Sequence, residues 1–465
     1  MIIRVFSLLL IATVISYASM THTIEQMISK NALTKSTVSI HITNAKTGQE
    51  LVSINADKSR KPASVMKVLT TYAALLELGA DFRWPTKFYY HGKYSKGVIE
   101  GDLIVKAYGD PTLSYKDIPS IVRRLKAVGV KSITGDIVID RSFFDVGDSI
   151  SSGFDKNLYS EYNAMPDAMM FDDHLSKIIV KPSNGKIVAN KVIADRSYDI
   201  ENKLVASSKN CSGNRTWPRM LITSEGNRPL ITFSGVMSLK CSPRVIKKVV
   251  SHSYNSFYYA LKSEIQKKGI KFHGGLQLAN TPDGSRSLFV HYSKPLLSII
   301  SKTNKKSNNL YARHLLLLLG AKRYDAPSTE EKGRMAIEQI LGNLSLLQSG
   351  SMYLDNGSGL SRESRIRARE LSGIIQSANK KYGSKWRKTL SIAGKDGTIR
   401  KRFAKTAAKG RAWMKTGTLK DAKNIAGYVK AKSSGNLYSV VIMYNGHEKW
   451  KGSALQNQII NWLAK

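Results

Sequence analysis

Residues 62–79 read PASVMKVLTTYAALLELG. Apolar side chains fall on nearly every side of a helical wheel here: Val65, Val68, Leu69, Tyr72, Leu75 and Leu76. Pro62 precedes the run and Gly79 stands where a helix stop is expected, so the spacing predicts a helix buried between layers. Ser64 and Lys67 lie three apart at its start and therefore share a face. A lysine on so apolar a helix is hard to solvate. A serine hydroxyl beside it gains a base only if the amine loses its proton, which burial and a second nearby cation both promote. The plainer reading is a helix start followed by a surface lysine, and the rest of the chain decides between them.

Upstream, residues 21–33 have helical spacing, and residues 36–55 read as two strands joined by a turn at Lys46-Thr47-Gly48. From about Thr86 to Ser285 the texture changes to short β-rich segments separated by Gly, Asp, Asn and Ser. Within it, GDLIVKAYGDPTL and GDIVIDRSFFD both run from Gly-Asp into a strand, like one unit used twice. Helical spacing returns from Leu296, and strands are expected in RAWMKTGTL, NIAGYVKA and LYSVVIMYN. The closing ALQNQIINWLAK puts Leu455, Ile459, Trp462 and Leu463 on one face, as a core-packing helix does. Strands near both ends with helices between them predict an α/β (α+β) fold, a sheet flanked by helices and split by a large β-rich insertion. The expected segments are a leader over 1–18, a domain formed from 19–85 and 286–465, and the insertion over 86–285.

The leader is read from Arg4, the apolar stretch Val5–Ile15 and the small residues Ser16 and Ala18, the pattern of a cleaved secretory signal. The mature chain is then exported to the periplasm or cell envelope without a transmembrane span. In an oxidising compartment Cys211 and Cys241 would close one modest loop worth about 3 to 4 kcal/mol, or stay as two buried thiols. The net charge is +38, and between Lys380 and Lys420 fourteen Lys or Arg residues face only Asp396. That balance suits anionic envelope polymers or lipid surfaces, although a general lysine bias needs no partner. Export and the lack of any zinc-finger or single-strand-binding pattern exclude nucleic acid.

Further motifs fall in order along the chain: Ser307-Asn308-Asn309 before a helix, and Lys415-Thr416-Gly417-Thr418 within a strand. Each short pattern recurs elsewhere, as in Ser183-Asn184-Gly185-Lys186 and Ser377-Ala378-Asn379-Lys380, so order and setting carry the signal. In this arrangement Ser64 is the nucleophile and Lys67 its base, with Lys415 as the second cation. Backbone N–H groups at Ser64 and Thr418 are candidates for stabilising an oxyanion. Lys415, Thr416 and Thr418 can grip a substrate carboxylate, and Gly417 lets substrate approach the strand. Ser307 is the candidate for relaying a proton to the leaving amine, and Asn309 for binding the substrate amide.

Ser-x-x-Lys, Ser-x-Asn and Lys-Thr-Gly together resemble the set found in serine β-lactamases and penicillin-binding proteins. With PASVMKVLTTYAALLELGADFRWPT, GDPTL, DNGSGLSR, AGKDGTIRKRF and KTGTLKDAKNIAGYV, the chain resembles the class C low-molecular-mass penicillin-binding proteins, the D-alanyl-D-alanine carboxypeptidase/endopeptidase family. The resemblance implies a split serine transpeptidase-like domain and an acyl-enzyme on Ser64. It further implies action on peptidoglycan stem peptides, acylation by β-lactam antibiotics, and no metal or cofactor. Two alternatives remain: a β-lactamase, against which the large insertion argues, and a non-catalytic binder of anionic wall polymer that keeps the fold.

Overall fold

Alternating apolar residues in Val38–Asn44 pair with the continuous apolar run of Leu437–Asn445 in the central sheet of a computed structural model of the chain, which describes residues 19–223, 228–348 and 350–465. The proposed leader lies outside the described residues. Ile40 pairs with Ile442 and Ile42 with Val440, so that all four turn to the same core. The six strands run in the order Ser391–Ile392, Ala412–Leu419, Ala422–Lys430, Leu437–Asn445, Val38–Asn44 and Glu50–Ile54. Neighbours are antiparallel throughout, and the N-terminal hairpin docks on the last strand of the chain.

One face of this sheet is covered by the helix at 19–30 and by Lys449–Leu463. Leu455, Ile459, Ile460 and Leu463 are buried there and Trp462 packs alongside, so the last helix is part of the core. The helix Met66–Leu78 is buried from Met66 through Leu75 and packs among Leu296–Lys306, Asn309–Tyr324 and Ala368–Arg387. Its polar residues are satisfied locally: Thr70 donates to the Gly357 carbonyl at 2.7 Å and Thr71 to the Lys67 carbonyl at 2.6 Å. Gly79 takes the positive φ that ends it.

These elements belong to one compact unit built from residues 19–82, 295–325 and 330–465; a second comprises 83–294 and 326–329. In the second unit the repeated Gly-Asp segments are adjacent parallel strands, Leu103 pairing with Ile137. The repeat has a structural reason. Asp102 accepts the backbone N–H of Asp136 at 2.6 Å, and Asp136 accepts that of Gly275 at 2.6 Å, so each carboxylate pins the start of the next strand. Leu276–Leu278 continues the ladder beside Ile137–Asp140.

The stretch read as β-rich also holds two helices, Ile118–Ala127 and Ser253–Lys267. Both bury an i, i+3, i+4 stripe, including Ile118, Ile121, Val122 and Leu125 in the first and Phe257, Leu261 and Ile265 in the second. Their polar faces match the surrounding loops in composition, which masks them within the β-rich texture.

Two three-stranded sheets in this unit enclose a core of Ile178, Val180, Ile231, Phe233 and Met237, beside which Cys211 and Cys241 form a disulfide. Replacing both cysteines by serine is expected to destabilise this unit by about 3 kcal/mol, from the loop-closure entropy returned to the unfolded chain. Denaturant unfolding of the double variant against the oxidised parent measures it; an unchanged midpoint would contradict the assignment of stability to this loop.

Candidate active site

Ser64 lies in a 3-10 turn, Ala63–Val65, that leads directly into Met66–Leu78. Ala63 holds a left-handed φ of 50°, a conformation that costs a non-glycine residue about 1 to 2 kcal/mol. The turn presses on the strand Ala412–Leu419: a Cβ at Gly417 would sit 2.7 Å from the Pro62 carbonyl oxygen and 3.0 Å from the Ser64 nitrogen. Gly417 therefore fixes how near the strand comes to the serine. Gly417→Ala is expected to lower the acylation rate by about 100-fold while leaving the fold in place. Stopped-flow acylation together with thermal melting checks this, and an unaltered rate would contradict the close approach.

The Lys67 amine is fully buried and has three neighbours: Ser64 Oγ at 2.9 Å, Asn309 Oδ1 at 2.7 Å and the Ser358 carbonyl oxygen at 2.5 Å. The two carbonyl oxygens can only accept. A neutral amine gives them its two protons, and its lone pair is left facing the Ser64 hydroxyl. Burial first, and the charge of Lys415 second, hold the Lys67 amine well below the usual lysine range.

Ser358 was not singled out by sequence reasoning, because a backbone carbonyl leaves no mark on residue type. The signal available was the glycine pair in DNGSGLSR. Gly357 and Gly359 both take positive φ, and a Cβ at Gly359 would lie 1.9 Å from the Ala63 carbonyl oxygen. Only glycine lets this loop approach the serine turn. Asn356 Oδ1 receives the Ser358 hydroxyl at 2.7 Å and the Ser358 N–H at 3.1 Å, which fixes the loop.

Lys415 is likewise fully buried and donates to Ser307 Oγ at 2.8 Å and to the Thr416 carbonyl at 2.7 Å. Burial lowers its pKa to about 7. Ser307 has a left-handed φ of 56° between Leu296–Lys306 and Asn309–Tyr324. The helix cap is Asn308, whose Oδ1 accepts the Tyr311 N–H at 3.0 Å, so capping leaves both Ser307 and Asn309 for other contacts.

Ser64, Lys67 and Asn309 are thus joined directly, as are Ser307 and Lys415, and Gly417 abuts the serine turn. Thr416 Oγ1 meets Thr398 Oγ1 at 2.9 Å, a contact not anticipated from sequence, although Thr398 lies in AGKDGTIRKRF. Asp396, two residues earlier, pairs with Lys305 at 2.5 Å. Thr418 is exposed on the strand. The neighbouring strand Ser391–Ile392 pairs only with Met414 and Trp413, so among the described residues the edge beyond them has no strand partner.

The chain matches the D-Ala-D-Ala carboxypeptidase 3 (S13) family over residues 20–465. It is 27% identical over 413 residues to the D-alanyl-D-alanine carboxypeptidase DacB of Haemophilus influenzae, covering 87% of this chain and 84% of that one. A D-alanyl-D-alanine carboxypeptidase of an Actinomadura species is 26% identical, over 95% of this chain and 84% of its own. The crystal structure of penicillin binding protein 4 from H. influenzae superposes with a TM-score of 0.79 at 25% identity, covering 95% of this chain and 99% of that one. Matched along its described length and carrying a serine hydroxyl against a buried amine, the chain belongs to the D-Ala-D-Ala carboxypeptidase 3 (S13) family of serine peptidases.

Proposed function

We propose that Ser64, Lys67 and Ser307 carry out the family's reaction here, with Asn309, Lys415, Thr416, Gly417 and Thr418 holding the substrate. The observation that carries this reading is the fully buried Lys67 amine, 2.9 Å from Ser64 Oγ and held by the Asn309 and Ser358 oxygens, so that once neutral it turns its lone pair to Ser64. Lys67 removes the hydroxyl proton as Ser64 Oγ attacks the carbonyl of the penultimate D-alanine. N–H groups at Ser64 and Thr418 stabilise the oxyanion. Ser307 accepts from Lys415, so it can pass its own proton to the leaving amine and take one from the Lys415 ammonium in exchange. The amine departs, an ester remains on Ser64, and water hydrolyses it.

The substrate on this reading is a peptidoglycan stem peptide or a D-Ala cross-link, and a β-lactam acylates the same serine. The strand edge at 415–419, which has no strand partner among the described residues, supports it, since an extended peptide can add there as a further strand. The unit interrupted by residues 83–294 is then the penicillin-binding domain. Action is in the cell envelope after export, and the cationic stretch from Lys380 to Lys420 favours anionic polymers there. Among the described residues no helix is long and apolar enough to cross a membrane.

Mass spectrometry of purified muropeptides before and after incubation tests the activity. Loss of one terminal alanine from pentapeptides, or conversion of cross-linked dimers to monomers, is expected. Unchanged muropeptides would overturn the reading.

A further inference from the structure

The strand that follows Lys415-Thr416-Gly417-Thr418 carries a cation with no role in the scheme above. Lys423, on Ala422–Lys430, stands directly across the hairpin from Thr418, and its amine donates to Thr418 Oγ1 at 3.1 Å. An ammonium group can only donate, so the Thr418 oxygen is the acceptor and its own proton points elsewhere. Thr418 is exposed, which leaves that proton facing the open side of the strand.

The carboxylates nearest in sequence to Lys423 and Lys449 are paired elsewhere, Asp421 with Lys61 and Glu448 with Lys451. Among the described residues, neither it nor Arg402 nor Lys449 forms an ion pair with a carboxylate. The partly buried Arg402 guanidinium donates to amide oxygens, Asn457 Oδ1 at 2.7 and 3.1 Å and Gln456 Oε1 at 3.3 Å, and lies 5.1 Å from the centre of the Phe403 ring. Gln456 in turn donates to the Lys423 carbonyl at 2.9 Å. Burial, then the charges of Arg402 and Lys449, lower the pKa of Lys423. Cations removed from water are ordinarily matched by an anion, and here the protein supplies none.

We infer that Lys423 is a positioning residue for the substrate's terminal carboxylate: it fixes the Thr418 hydroxyl with its proton outward and selects substrates that end in a free carboxylate. The inference rests on the reaction proposed above and deepens it. The cation acts through Thr418, so its effect should depend on both the substrate's charge and the threonine hydroxyl.

Second-order acylation rates for benzylpenicillin and its methyl ester provide the test. Lys423→Ala should slow benzylpenicillin by about tenfold and leave the uncharged ester within about twofold, and Lys423→Arg should restore the difference. In a Thr418→Val background, Lys423→Ala should add less than about twofold. Lys46→Ala, which removes an exposed charge in the first hairpin's turn, should change neither rate. Equal slowing of both compounds, or of neither, would overturn the inference while leaving the proposed reaction standing. If the parent protein takes up no penicillin at all, the proposed reaction fails and this inference falls with it.

Discussion

Replacing Ser64 by alanine should abolish covalent labelling by benzylpenicillin and lower D-alanine release by about 10⁴-fold or more. The magnitude follows from what is lost. Without the hydroxyl no ester can form, and the buried amine of Lys67 has no nucleophile to activate. The change removes one oxygen from a turn held by the Pro62, Gly359 and Gly417 contacts, so folding should be unaffected. Melting curves and labelling with a fluorescent penicillin measure both properties. Retained labelling would assign the nucleophile elsewhere, and a protein that binds wall material equally well before and after the change would favour the non-catalytic alternative.

The second large effect concerns Lys67. Lys67→Arg places a permanently charged group, which cannot lose its proton, where a base is needed, and a loss of about 10²- to 10⁴-fold in acylation is expected. The pH profile carries the sign of the argument. Below the lowered pKa of Lys67 the amine is an ammonium, all its positions donate, and no lone pair faces Ser64. Acylation by the free enzyme should therefore rise with pH through that value. On the alkaline side, Lys415 loses its proton as pH passes about 7, and the grip on the carboxylate weakens. Lys415→Arg should keep the charge and remove that alkaline limb. A pH-independent rate in the parent would contradict the role given to the buried amine.

Much of the site was legible because its residues contradict their surroundings. Lys67 stands out on a helix with apolar residues all round, and burial of that helix from Met66 through Leu75 leaves the amine no route to bulk water. The false matches fail for visible reasons. Ser183 and Lys186 face each other across a hairpin, and Ser377 Oγ is engaged with the Tyr72 hydroxyl at 2.7 Å. The hairpin at residues 38–54 was readable from alternation, and its inward residues share one core with those of the three C-terminal strands.

What could not be read depends on long-range approach. The Ser358 carbonyl reaches Lys67 across 291 positions of sequence, and only the paired glycines hinted at so close a loop. The contact between Lys423 and Thr418 is short in sequence but required knowing that the hairpin turns at Lys420-Asp421. The helices Ile118–Ala127 and Ser253–Lys267 are hidden in the sequence because each buries only a narrow stripe and turns a polar face like that of the surrounding loops.

Whether a desolvated amine turns one serine into the attacking group is tested most directly by intact-mass analysis after incubation with benzylpenicillin, followed by tryptic mapping. A gain of one penicillin mass on the peptide that ends at Lys67 and contains Ser64 is the predicted result. No mass gain, or a gain on a peptide without Ser64, would contradict it.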